Sequence, residues 1–290
     1  MGGKRWWLGA AAVGGAAVAM TATLLGTGDV PRTPVEATAT RVVREDPPPP
    51  AVEPPSAVEP VPPVEPARSP GGLDELAEGI GLGVVVRDLT TGEDVVSVNP
   101  DQEFDSASLV KILIALDALA DHRESDPTVA HMLATSDDDE ASRMWSEGGG
   151  PRIVTTWATA IGLVGTRPPE DPDQWGATTV TAADLVRIYR FLLDDPLGAV
   201  VLKGLHGMTD RGADGFDQVF GVPAVAGDRG WAAKQGWSCC SDHRTTHSTG
   251  LVGPDNRYAV VVLTAQPVEV SAARARTRVT QVVEFVLSDR

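Results

Sequence analysis

Cysteine is nearly absent from this chain of 290 residues: the only two, Cys239 and Cys240, are neighbours. Two adjacent cysteines make no disulfide framework. Basic charge is also scarce, with 24 Lys and Arg against 40 Asp and Glu and a net charge of −16. Neutralising phosphates takes clustered cations, so nucleic acid is excluded as a partner. The acidic balance favours solubility and says little about fold. No cysteine follows the apolar N-terminal stretch, which excludes a lipidated-cysteine anchor there, and no compelling small-x-small cleavage site ends it, although Ala37-Thr38-Ala39 is possible.

That stretch, residues 6–25, is rich in Ala and Gly and follows Lys4 and Arg5. Positive residues before an apolar core read as an export signal, and about 20 apolar residues suffice to cross a bilayer. Residues 1–28 are therefore expected to be a signal peptide or membrane anchor that places the rest of the chain outside the cytoplasm. Residues 29–72 hold most of the 23 prolines, including Pro47 to Pro50, and repeat Val-Glu-Pro at Val52, Val58 and Val64. Such a segment favours extended polyproline II and works as a disordered, semi-rigid spacer. A partner's aromatic groove is the alternative use of such repeats.

Residues 73–290 are long enough to bury one core. Residues 73–77 read as a short helix, and 82–88 and 94–99 as strands joined by a turn at Thr90-Thr91-Gly92. Helical stretches are expected near 128–135, 140–147, 153–161 and 181–193. Thr181 is the expected N-cap of the last, with Asp184 at the capping-box position. Residues 230–240, 244–252 and 257–264 read as three strands, and 268–287 as a helix with apolar spacing at Val279, Val282, Val283 and Val286. Strands at both ends with helices between indicate α+β.

The feature with most chemical content is Ser108, at the head of a run (109–120) that is apolar apart from Lys111 and Asp117. A helix apolar nearly all round is buried, and burial disfavours a charged lysine. One helical turn separates Ser108 from Lys111, so both lie on one face. A neutral amine beside a serine is a general base beside a nucleophile. The bland alternative is an N-cap serine and a lysine that snorkels to water.

Ser136-Asp137-Asp138 follows a helical stretch on what reads as an exposed turn, and Lys234-Gln235-Gly236 lies on the first C-terminal strand. Glu170-Asp171-Pro172-Asp173 sits in a Pro-rich loop. Taken in order, Ser-x-x-Lys, Ser-Asp-Asp and Lys-Gln-Gly on a strand of a β–β–β–α ending resemble the serine β-lactamase and penicillin-binding protein superfamily, whose motif set is S-x-x-K, S-D-N and K-T-G. The resemblance covers nearly all of 73–290. It implies a β-lactamase/transpeptidase-like fold, an antiparallel sheet flanked by helices with a helical subdomain.

Residue by residue, the resemblance assigns Ser108 as acylated nucleophile and Lys111 as its activator. It assigns Ser136 as proton relay and Lys234 as the lysine that attracts a substrate carboxylate and supports the relay. Gln235, Gly236 and Trp237 fall at substrate-binding positions, and the N–H groups of Ser108 and Trp237 at the oxyanion hole. Three positions depart from the pattern. Asp138 replaces an asparagine and would raise the pKa of Lys111. Gln235 replaces a hydroxyl residue. The loop with Glu170, the positional candidate for the deacylating base, looks shortened and lacks Glu-x-x-x-Asn.

The Cys-Cys-x-x-His-x-x-x-His pattern of Cys239, Cys240, His243 and His247 suggests zinc only superficially. Adjacent strand residues point to opposite faces and do not readily share a metal; a buried cysteine on each face is the default, and a strained disulfide between the two neighbours is the minor alternative in an exported protein. No metal or cofactor is expected. The sequence thus points to an exported, monomeric serine hydrolase forming acyl-enzymes on β-lactams or D-Ala-D-Ala cell-wall peptides, with slow deacylation. The competing expectation is a non-catalytic protein of the same fold that binds peptidoglycan or an envelope partner.

Overall fold

The structure, a computed structural model, describes residues 72–239 and 242–288. All of these belong to the unit Pro62–Arg290. The expected N-terminal anchor (1–28), nearly all of the expected linker, and Cys240 lie outside the described residues. Among the described residues no helix is long and apolar enough to cross a membrane.

After a short α1 (Leu73–Leu76), strands β1 (Gly81–Asp88) and β2 (Asp94–Val98) form a hairpin, and β3 (Phe104–Asp105) leads into a 3-10 turn over Ala107–Val110. Helices α2 (Lys111–Ala120), α3 (Asp126–Thr135), α4 (Asp138–Glu147) and α5 (Pro151–Ile161) follow. A 3-10 turn at Trp175–Ala177 precedes β4 (Thr179–Val180), α6 (Ala182–Asp194), α7 (Pro196–His206) and α8 (Val222–Ala226). The chain closes with β5 (Trp231–Ser238), β6 (Arg244–Val252), β7 (Tyr258–Gln266) and α9 (Ala272–Leu287).

Five strands make one antiparallel sheet in the order β2-β1-β7-β6-β5, which leaves β5 at an edge. The runs Val84-Val85-Val86 and Val260-Val261-Val262-Leu263 explain why both faces are covered. Alternate side chains enter opposite cores, so a strand buried on both sides is apolar throughout. Val85, Val261 and Leu263 face a core with α2–α7, whereas Val84, Val86, Val260 and Val262 face one with α1, α8 and the Val279, Val282, Val283 and Val286 stripe of α9.

The α+β class and the sheet read from the sequence are those observed. Several details differ. Ser108 does not open an α-helix; it sits in the 3-10 turn, and α2 begins at Lys111. The last helix starts at Ala272 rather than 268, because Ser271 caps Arg274 N. Thr181 caps Asp184 N as expected, but the Asp184 carboxylate does not complete a capping box. It accepts instead from Val164 N, Gly165 N and the Thr166 hydroxyl, pinning a distant loop onto α6. Unforeseen were α7, α8 and the two-residue ribbon β3–β4. That ribbon, with Ser106 N donating to Thr178 O at 2.7 Å, brings the Trp175–Ala177 turn to the turn that bears Ser108.

Candidate active site

Four side chains predicted from three separate motifs meet between β5, the Ser108 turn and the α3–α4 junction. Lys111 Nζ lies 3.1 Å from Ser108 Oγ and 3.2 Å from Ser136 Oγ, and donates to Ser136 O at 2.6 Å. Lys234 Nζ donates to Ser136 Oγ at 2.9 Å and to Gln235 O at 2.9 Å. The result is one hydrogen-bonded chain, Ser108–Lys111–Ser136–Lys234. Both lysines are fully buried.

Local structure explains the placement. Ser136 ends α3 in the left-handed region (φ 53°), with Ser136 N and Asp137 N returning to Leu133 O and Met132 O, a helix-terminating arrangement that turns the hydroxyl inward. It is thus buried, not on the exposed turn that the sequence suggested. Asp137 then caps α4 by accepting from Asp139 N and Glu140 N. Ala107, beside the nucleophile, also has positive φ (45°). Non-glycine residues held there cost of order 1 kcal/mol each, a strain that the packing around the site must hold in place. A third device is Gly236, where an added Cβ would stand 3.0 Å from Ser106 O and 3.1 Å from Leu109 Cγ. Only a missing side chain lets β5 approach the nucleophile's turn so closely.

Burial pushes the Lys111 amine below the ordinary lysine range, opposed by the carboxylate of Asp138, with which it forms a short ion pair. Burial, and then the neighbouring Lys111 charge, push Lys234 far below it. A lysine held towards neutrality and touching a serine hydroxyl can accept that hydroxyl's proton. Asp138, whose side chain is 61% exposed, reaches Lys111 from the solvent side.

Ser108, at the cleft end of this hydrogen-bonded chain, borders a cavity of about 370 Å³ lined also by Trp175, Trp237 and the carboxylates of Asp138, Asp173 and Asp214. Trp175 Nε1 donates to Ser142 Oγ at 3.1 Å, and its ring centroid lies 5.0 Å from Lys111 Nζ. Trp237 donates to Asp214 Oδ2 at 2.9 Å and stacks flat on Phe216, with ring centroids 4.6 Å apart. Past Ser238 and Cys239 a second hollow of about 300 Å³ opens towards Asp105 and His243.

Two expected site residues are not at the cleft. Gln235 is fully buried, and its amide donates to Gln218 O at 3.0 Å and Phe220 O at 2.6 Å. Strand alternation sends it away from the side of β5 that carries Lys234. Glu170 is exposed and absent from the cavity lining, because Trp145 Nε1 holds the loop at Pro172 O (2.8 Å) and it is Asp173 that reaches the cleft. Asp173, Asp214 and Trp175 were not foreseen, and no spacing rule connects such loop residues to the motifs. Cys239 is exposed and disulfide-bonded rather than a buried thiol. Both ring nitrogens of His247 are engaged, Nε2 with Asp105 O at 2.8 Å and Nδ1 with Thr264 N at 3.1 Å, so that histidine has no lone pair for a metal.

Comparison with known proteins adds three findings. The model of the β-lactamase enzyme family matches residues 73–143, which contain the first two motifs. Proteins of Mycobacterium tuberculosis and Mycobacterium bovis named "Putative lipoprotein LppW" are 39% identical over 214 residues, 69% of this chain and 68% of theirs. Among solved structures, a β-lactamase from Chitinophaga pinensis superposes with a TM-score of 0.63 at 13% identity, covering 76% of this chain and 98% of its own. An ancestral class A β-lactamase, reconstructed for Gram-negative bacteria, does so with 0.59 at 21% identity, covering 76% and 98%. At such identities the structural likeness speaks for the fold.

Proposed function

The chain belongs to the serine β-lactamase-like superfamily, and on that premise we propose that it is an exported serine hydrolase that forms acyl-enzymes on β-lactams or D-Ala-D-Ala-type cell-wall peptides. One observation carries the reading: the unbroken chain from Ser108 Oγ through Lys111 Nζ and Ser136 Oγ to Lys234 Nζ. Ser108 Oγ attacks the amide carbonyl while neutral Lys111 takes its proton. The new O–C bond forms first and the carbonyl electron pair moves onto oxygen; its return breaks the C–N bond as the proton passes through Ser136 to the departing nitrogen. The N–H groups of Ser108 and Trp237 hold the oxyanion, each such donor being worth roughly 3 kcal/mol in the transition state.

Deacylation needs a second base that aims water at the acyl carbonyl. Glu170 stands outside the cleft, which supports a long-lived adduct. The relatives' description as lipoproteins supports an envelope location; with Cys239 the first cysteine of this chain, attachment through the apolar segment 6–25 is the route proposed.

The test is intact-mass measurement after incubation with β-lactams in both free-acid and ester form. An adduct that Ser108→Ala abolishes, that decays slowly, and that decays no differently in Glu170→Gln is the expected result. The ion pair of Asp138 with Lys111 favours a second reading, a descendant that binds the same cell-wall chemistry without reacting, since it opposes a neutral base. No adduct from any form would favour that reading over the first.

A further inference from the structure

An indole covers the base of this site. The Trp175 ring centroid lies 5.0 Å from Lys111 Nζ, and the lysine is fully buried. Around Nζ stand Ser108 Oγ at 3.1 Å, Ser136 O at 2.6 Å, Ser136 Oγ at 3.2 Å and the Asp138 carboxylate. A water hydrogen-bonded to Nζ would sit about 2.9 Å from it. Towards the ring that leaves roughly 2 Å, well short of the ~3.5 Å contact distance to ring carbon. The indole is fixed in this position. Its Nε1 donates to Ser142 Oγ on α4 at 3.1 Å, Trp145 Nε1 holds the loop at Pro172 O at 2.8 Å, and Ser106 N holds it at Thr178 O at 2.7 Å. Trp175 is half-buried, and it also borders the cavity at Ser108.

Acylation leaves Lys111 neutral again, because the proton it takes from Ser108 moves on through Ser136 to the departing nitrogen. A base therefore already stands beside the ester. A water with access to Nζ could give it a proton while the water oxygen attacks the acyl carbon. The carbonyl electron pair would move onto oxygen, and its return would break the bond to Ser108 Oγ, which takes the proton back from Lys111. What hydrolysis lacks here is a way for water to reach that amine.

Resting on the acyl-enzyme reading above, we propose that Trp175 sets the lifetime of the acyl-enzyme. It is a positioning residue whose ring keeps water from Lys111, so that the base which forms the adduct cannot release it. The adduct then persists for two reasons: Glu170 stands outside the cleft, and an indole lies over the amine that could replace it.

The experiment follows decay of the benzylpenicillin adduct of the full chain by intact mass, after excess drug is removed, across a range of pH. In Trp175→Ala the adduct is expected to decay faster than in the parent by on the order of tenfold, short of the roughly 100-fold of a well-oriented base, because nothing then aims the water. That decay should rise with pH along the same limb as acylation, as Lys111 loses its proton. Trp175→Phe keeps a ring over the amine and should restore most of the parent's lifetime. Ser142→Ala, an exposed change that frees the indole, should give a smaller rise; it decides the matter where Trp175→Ala does not fold, decay at the parent's rate then overturning the proposal. A Ser108-dependent adduct that decays equally in parent and Trp175→Ala, or as fast in Trp175→Phe as in Trp175→Ala, or without pH dependence in Trp175→Ala, overturns the role of Trp175 and leaves the acyl-enzyme reading intact. No adduct in the parent overturns both.

Discussion

At the scale of single residues, Asp138 is the site's most informative departure. Its carboxylate stabilises the charged form of Lys111 against burial, so replacing it by asparagine lowers the lysine's pKa further. A base is active when neutral. The acid limb of the acylation pH profile in Asp138→Asn is therefore expected to move to lower pH, raising the rate on that limb. A profile that stays in place would show that Lys111 is not the base. Ser108, Lys111, Ser136 and Lys234 were legible because each belongs to a short motif whose order is informative. Gln235 was misread although the remedy lay in the pattern: Lys234 and Gln235 are consecutive on a strand and cannot both face the cleft. Glu170 lies in a loop, where neither period nor spacing determines direction, and Asp173 occupies the cleft instead.

At the scale of elements, the approach of β5 to the Ser108 turn depends on Gly236. Gly236→Ala places a methyl 3.0 Å from Ser106 O, 3.1 Å from Leu109 Cγ and 3.2 Å from His247 Cδ2. Overpacking of this kind costs about 1–3 kcal/mol and must be relieved by separating strand from turn. Thermal unfolding should show a Tm lower by several degrees, and acylation should fall further than stability does. An unchanged acylation rate would mean that the turn tolerates displacement. Long periodic elements were readable in the sequence, since α6, α9 and the central strands repeat their apolar residues over several turns or pleats. The β3–β4 ribbon is too short to have a period, yet it carries Trp175 to the nucleophile. Helix α7 did have a start signal, Asp195 capping Leu197 N ahead of Pro196; its Gly-containing, weakly patterned sequence obscured it.

At the scale of the whole molecule, stability should depend on pH through His247. Burial pushes its pKa from 6.5 to about 4, where Asp105 O and Thr264 N hold a neutral ring. The unfolded chain takes up a proton near pH 6.5 and the folded one does not until about 4. Folding is thus unaffected by this group above pH 6.5 and loses stability as pH falls from there towards 4, by up to roughly 3 kcal/mol. Urea midpoints across pH 4–8 should show this slope, and His247→Gln should flatten it. A parent slope unchanged by the substitution would assign the loss to other groups.

The two buried lysines carry a consequence for how such a protein ages over evolutionary time. Each amine is kept out of water at a cost that an apolar side chain of similar length would not incur. Lys111→Met and Lys234→Met should therefore raise the Tm while abolishing acylation, the trade expected where activity needs a destabilised site. A lineage released from chemistry has a stabilising substitution one step away at two positions. This chain has taken neither, and calorimetry on the two variants measures how much stability it forgoes by keeping them.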